Sequence, residues 1–320
     1  MSGHDPGAGI AENYREFGLD ARGRSAHYEE LAAAVAGDQM VIEFLTGLPV
    51  PKRQPNLLFA AAWYLLGQPP GLASLRELVA GHAAELTAVM LARRTQTNEP
   101  ARCATLLPAL AALPEPLALI EVGASAGLTL LPDRYCYDFG GQRVPGTDPR
   151  APVLRCEPRG PVPVPARVPR VAWRAGLDLS PLDVNDGDDM RWLGCLLWPG
   201  ESDREQRLAA AIATARRDPP PVYRGDLLTD LAALAAKAPP GATLVIYHSA
   251  VLAYVAKPQR RQFAAAVRDL GAAWLSNEAP LVLPDVPAPA DPDRAFLLVR
   301  DGRVPVAWTD PHGTWVRWLS

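Results

Sequence analysis

The chain has 320 residues, 48% of them hydrophobic, and a formal net charge of −3. That length suits one large domain or a domain with a sizeable appendage, and the apolar share is enough for a packed core. Acids and bases are interspersed, which leaves no general case for nucleic-acid binding. The short basic pairs Arg93-Arg94, Arg216-Arg217 and Arg260-Arg261 read as solvated helix faces.

Cysteines stand at 103, 136, 156 and 195, with no C-x-x-C spacing. Free thiols in a reducing compartment are therefore expected, rather than disulfides or a bound metal. The first segment, MSGHDPGAGIAENYREFG, has neither a basic n-region nor an apolar h-region. The longest apolar run of the second half, ATLVIYHSAVLAYVA, is interrupted by His248 and falls short of a bilayer span. A cytoplasmic protein without membrane partners is expected. Nothing in the chain specifies a register for oligomerisation, so a homo-oligomer and a hetero-complex both stay open.

In chain order, residues from about 10 to 113 read as helical. HYEELAAAVAGDQMVIEFL carries apolar residues at i, i+3 and i+4 around Leu31, Val35, Val41, Ile42 and Leu45. NLLFAAAWYLLG, closed by Gly67, predicts a second helix, with Asn56 placed to cap it. LASLRELVAGHAAELTAVMLARR predicts a third, and ARCATLLPALAAL a fourth. No strand is read before residue 117. Beyond it, strands are predicted at 117–122, 170–177, 221–225, 242–247, 272–276, 295–300 and 304–308. Helices are predicted at 127–134, 187–198, 202–216, 227–237 and 257–269. Strands alternating with helices imply a parallel sheet with crossovers. AFLLVRDGRVPVAW turns on Asp301-Gly302, so the sheet should end in an antiparallel hairpin. The Pro- and Gly-rich stretch 139–169 predicts an ordered loop or small hairpin inserted after the first crossover. The expected organisation is a helical subdomain over 1–113, covering the carboxyl edge of an α/β domain over 114–320.

The chemistry concentrates at LALIEVGASAGLTLL, residues 117–131. Gly123-Ala-Ser125-Ala-Gly127 matches the G-x-S-x-G nucleophile elbow, and Asp226 or Asp285 with His312 would formally complete a triad. An elbow follows several strands, however, and leaves Glu121, an acid at the end of a buried strand, without a role. Read with Glu121, the same residues form the E-x-G-x-x-x-G turn of a cofactor-binding strand: Gly123 permits the tight turn and Gly127 the close packing after it. A plain strand-to-helix turn remains the third reading. The second strand ends in GLDLSP, where the Asp178 carboxylate stands at the position that accepts hydrogen bonds from ribose hydroxyls. Asp226, in VYRGDLL, either meets an adenine amino group or caps the helix that follows.

His248 follows ATLVIY at the tip of the fourth strand, placed to act as a general base, or to bond a loop carbonyl. Glu278 ends the fifth strand and orients His248, holds a substrate cation, or faces solvent as a loop acid. Asn98, Glu99 and Arg102, just ahead of residue 117, read either as a site wall or as ordinary loop polarity.

These residues resemble the class I S-adenosylmethionine-dependent methyltransferase fold, a Rossmann-like sheet, over roughly 117–320. IEVGASAG, GLDLSP, RGDLL and the closing hairpin carry the resemblance. It implies S-adenosylmethionine as cofactor, with Glu121, Gly123, Ser125 and Gly127 at the methionine part, Asp178 at the ribose and Asp226 at the adenine. A small-molecule acceptor would face His248. Two features depart from that pattern. Ser125 stands where a middle glycine is usual, and Tyr247-His248-Ser249 replaces the Asn/Asp-Pro-Pro-aromatic motif of many amine methyltransferases. A second resemblance covers nearly the whole chain. TQTNEPARCATLLPAL, EVGASAGLTLLPDRYCYDFGG, RAGLDLSPLDVNDGDDMRWLGCLLWP, RLAAAIATAR and VIYHSAVLAYV are similar to a mainly actinobacterial family, domain of unknown function 2332. That family implies the fold and no particular reaction. Elimination or ring closure on the same fold, and a non-catalytic binding subunit, are the alternatives to methyl transfer.

Overall fold

The computed structural model describes residues 6–96, 98–283, 286 and 295–319; Asp285 lies outside them. The chain folds as two compact units, one of residues 1–97 with 186–206, the other of residues 98–185 with 207–320.

The first unit is helical: α1 (Pro6–Ala21), α2 (Ala26–Ala36), α3 (Gln39–Thr46), α4 (Pro55–Leu66), α5 (Leu72–Gly81) and α6 (Ala83–Ala92), joined by the later helix Gly187–Cys195. The long helix read over 27–45 is two helices. Gly37 ends the first, and the Asp38 side chain accepts from Val41 N at 3.0 Å to start the second. The helix read over 72–94 likewise breaks at Gly81-His82. Asn56 does not cap α4, which begins on Pro55; its Oδ1 accepts from Trp198 Nε1 at 2.9 Å. The core of this unit is aromatic, with Tyr14, Phe17, Tyr28 and Trp198 ringed around one another and Phe59.

The second unit opens with α7 (Arg102–Ala111), which leads to β1 (Leu117–Val122). Then come β2 (Cys136–Phe139), β3 (Gln142–Val144), β4 (Val153–Arg155), β5 (Glu157–Pro158) and β6 (Val171–Asp178). After β6 the chain runs through α8 (Gly187–Cys195) and α9 (Ser202–Arg217) to β7 (Val222–Arg224). It continues through α10 (Leu231–Ala235), β8 (Thr243–Ser249), α11 (Lys257–Asp269) and β9 (Ala273–Glu278). It closes with β10 (Phe296–Arg300), β11 (Val304–Thr309) and β12 (Trp315–Trp318). Among the described residues the main sheet has nine strands in the order β5-β12-β11-β10-β9-β8-β1-β6-β7. β7, β6, β1, β8 and β9 are mutually parallel, as the alternation of strands and helices implies. β1 is buried along its whole length, which explains its unbroken apolar run. From β9 to β12 the sheet is antiparallel, and β12 extends the expected hairpin to a three-stranded meander. Ile120, Leu177, Ile246, Phe263, Val267, Trp274 and Trp308 form the centre of its core.

Three segments of this unit differ from expectation. The helix expected at 227–237 is confined to Leu231–Ala235. No helix spans 127–134; a single 3-10 turn, Leu128–Leu130, stands there. Pro132 has no N–H to bond back to Leu128, and a proline disfavours helical backbone at the residue before it. Leu131 accordingly leaves the helical region at φ −110°, ψ 37°. The Pro/Gly stretch, expected as an ordered loop or small hairpin, contains the hairpin β2–β3 and further strands. β2, β3 and β4 make a separate three-stranded sheet that begins ahead of residue 139, and β5 reaches the edge of the main sheet beside β12.

Candidate functional site

In the parallel part of the sheet, β1 leads to β6 on one side while β8 leads to β9 on the other. The order β7-β6-β1-β8-β9 therefore reverses between β1 and β8. Such a switch point is where open α/β sheets place a ligand crevice, outside the carboxyl ends of the strands. Glu121, in register with Gly176 and Tyr247, stands there.

Glu121 is buried, and its Oε1 accepts from the Thr129 hydroxyl. Oε2 has no hydrogen-bond partner among the described residues. Burial pushes the carboxyl up to about 8, against the opposing pull of the Thr129 hydroxyl and of the Arg102 charge. At neutral pH the group is therefore mainly a carboxylic acid, a buried proton donor. Thr129 is held by its neighbours. Its carbonyl accepts from Tyr247 Oη at 2.9 Å and from Cys103 Sγ at 3.4 Å. Asn98 accepts from Leu128 N at 2.9 Å and donates to Thr129 Oγ1 at 3.5 Å. Arg174, paired with Asp133 at 2.7 and 2.8 Å, donates to Leu130 O at 2.7 Å. Side chains from four elements thus fix a turn that lacks a following helix.

The glycine turn itself is tight. Gly123 and Gly127 both have φ near +72°, and a methyl on Gly127 would meet Pro220 and Val222 at 2.8 and 3.0 Å. A methyl on Gly123 would lie 2.4 Å from Val251 Cγ2, so the side of Gly123 open to close approach is filled by Val251. Ser125 has φ 53°, and its buried Oγ has no partner among the described residues. Its backbone N–H donates to Asp178 Oδ2 at 2.8 Å, while Ser180 N donates to Oδ1 at 2.7 Å. Asp178 thus ties the ends of β1 and β6 together, with a second lone pair on each oxygen still to offer. Asp226 closes an Asx turn onto Leu228 N at 2.7 Å, ahead of α10.

His248 is fully buried, and Glu278 lies beside it. Trp274 Nε1 donates to His248 Nε2 at 3.1 Å, and an indole N–H is only a donor. The ring proton must then sit on Nδ1, which donates to Glu278 Oε1 at 2.7 Å. The imidazole is neutral with both nitrogens engaged, and proton transfer to a substrate would require breaking the Trp274 bond. Glu278 Oε1 also accepts from Val251 N and Leu252 N at 2.8 and 3.1 Å. His312 and Ser125 share no hydrogen bond; His312 N belongs to a turn closed by Asp310 Oδ2.

Arg102 and Glu99 are buried as well. Arg102 donates to Pro311 O and Ser249 O at 2.8 and 3.1 Å, and Glu99 Oε1 accepts from Arg207 Nε at 2.7 Å. The structure thus brings Asn98, Arg102, Glu121 and Thr129 together around one acid, and His248, Glu278 and Trp274 around another. Thr129, Trp274 and Val251 were not foreseen. Thr129 falls in a segment expected to be helical, Trp274 in the strand expected at 272–276, and Val251 in an apolar run.

The family described as "Uncharacterized protein conserved in bacteria (DUF2332)" matches residues 11–318. The chain belongs to that family. No curated protein and no solved structure matches it. In this DUF2332 chain the four cysteines are free, and no group of three or more His, Cys, Asp or Glu among the described residues could hold a metal ion. No helix among the described residues is long and apolar enough to cross a membrane.

Proposed function

We propose that this chain binds S-adenosylmethionine in the crevice at the carboxyl ends of β1, β6 and β8 and methylates a small molecule. One observation carries the reading: at the switch point of a parallel sheet, a buried acid keeps one oxygen, Glu121 Oε2, without a partner. The donor set fits such a cofactor. Glu121 would meet the methionine part, the remaining lone pairs of Asp178 the ribose hydroxyls, and Asp226 the adenine amino group, while Ser125 Oγ is a second unpartnered group on the same turn. When bound, the cofactor supplies an electrophilic methyl group. This chain's own contribution is positioning and the exclusion of water, which need no titrating base. His248 enters as a positioning group, since both its nitrogens are engaged. Calorimetry with S-adenosylmethionine and S-adenosylhomocysteine tests the reading: saturable heat that weakens in Glu121→Ala is expected, and no heat from either ligand would refute it.

The protonated state of Glu121 favours a second reading, in which the same crevice runs an acid-assisted elimination or ring closure. Turnover that survives complete removal of S-adenosylmethionine would select it.

A further inference from the structure

Two loops flank the switch point, 123–127 after β1 and 250–255 after β8. Three non-glycine residues have positive φ among those described, and two of them stand in these loops: Ser125 at 53° and Ala250 at 60°. Such backbone persists only where the surroundings over-determine it. For the second loop those surroundings are explicit. Ala250 N donates to Asn277 O at 3.1 Å. Val251 N and Leu252 N converge on Glu278 Oε1, the atom that also accepts from His248 Nδ1. Arg260 closes the far end, donating to Val255 O at 2.7 Å and Ala253 O at 3.4 Å. Between these ties only Leu252 is buried, and Tyr254 is 71% exposed. Val251 is the residue that lies against Gly123.

We propose that residues 250–255 form a cover over the β1/β8 crevice, that Glu278 is the positioning residue holding it shut, and that a bound cofactor takes the place of the Val251 side chain against Gly123. The identity of that occupant rests on the function proposed above. The physical content is a three-to-one arrangement. One carboxylate oxygen satisfies two loop amides and one imidazole, so lifting the loop strips two donors from it while His248 and Trp274 keep the strand-end geometry. The loop therefore opens as a unit, without disturbing β8 or β9.

Hydrogen exchange on the whole protein tests the latch without reference to any ligand. Glu278→Gln keeps an acceptor for His248 but removes the charge that holds the amides. Exchange at Val251 and Leu252 should quicken at least tenfold, with β1, β8 and β9 unchanged. Unchanged exchange at those two amides in the folded variant would overturn the latch, as would equal acceleration across the strands. Should Glu278→Gln not fold, Val251→Ala serves instead: loss of its contact with Gly123 should quicken exchange at Leu252, and unchanged exchange there would overturn the cover. In the ligand arm, S-adenosylhomocysteine should bind Val251→Ala at least fivefold more tightly than the natural chain. Equal affinity overturns the displacement of Val251. No binding to any form removes the proposed occupant, while the exchange result still decides the latch.

Discussion

Replacing Glu121 by glutamine keeps the side chain's size and its acceptor for Thr129 while removing titration. Burial holds the natural carboxyl at about 8 in the folded chain, against an ordinary value of 4.5. Between those values the folded chain retains a proton that the unfolded chain has released, so rising pH favours unfolding. The stabilisation is complete below the unfolded value and is lost as pH climbs through the folded one. One pH unit corresponds to about 1.4 kcal/mol, so the full window is worth about 5 kcal/mol. Urea unfolding followed by tryptophan fluorescence at pH 5, 6 and 7 gives the stability difference between the natural chain and Glu121→Gln. That difference should move against the natural chain by about 3 kcal/mol from pH 5 to pH 7. A pH-independent difference would refute the protonated acid. A difference that grows in favour of the natural chain would show that Arg102 keeps Glu121 ionised.

Other consequences follow from single contacts. Thr129→Val removes the hydroxyl that pulls Glu121 down, so the carboxyl should titrate above its natural value in an infrared pH series; a downward move would contradict the arrangement. Trp274→Phe leaves a buried imidazole nitrogen without a donor and should cost about 1–3 kcal/mol in denaturant titration. Asp178→Ala frees the Ser125 and Ser180 amides; with about 1.5–3 kcal/mol for each bond to a charged acceptor, it should loosen the β1–β6 turn, visible as faster exchange at both amides. Arg174→Met leaves the Asp133 carboxylate only the longer ion pair with Arg134 Nε, at 3.8 Å, and should destabilise the chain by about 3 kcal/mol in denaturant titration.

The parallel strands were legible because their apolar runs are bounded by punctuation: Leu117–Val122 appears where LALIEV predicts it, and Lys257–Asp269 matches the helix expected at 257–269. The turn after Gly127 was misread because LTLL is apolar in any conformation, and only Pro132, acting backward on Leu131, distinguishes a 3-10 turn from a helix. Site chemistry was legible as residue types and not as partners. Glu121, Asp178, His248 and Glu278 stand at strand ends as expected. Most of the atoms that satisfy them belong to residues 8 to 53 positions away, such as Thr129 beneath Glu121 and Trp274 beside His248. No local pattern encodes such pairings. Nor does VLAYV announce that its first residue folds back onto Gly123.

A crystal structure of the chain grown with S-adenosylhomocysteine tests the central claim most directly. Ligand density is expected between the Glu121 carboxyl and the Asp178 turn, with Val251 withdrawn from Gly123. A saturating ligand concentration that leaves the crevice empty and Val251 against Gly123 would contradict it.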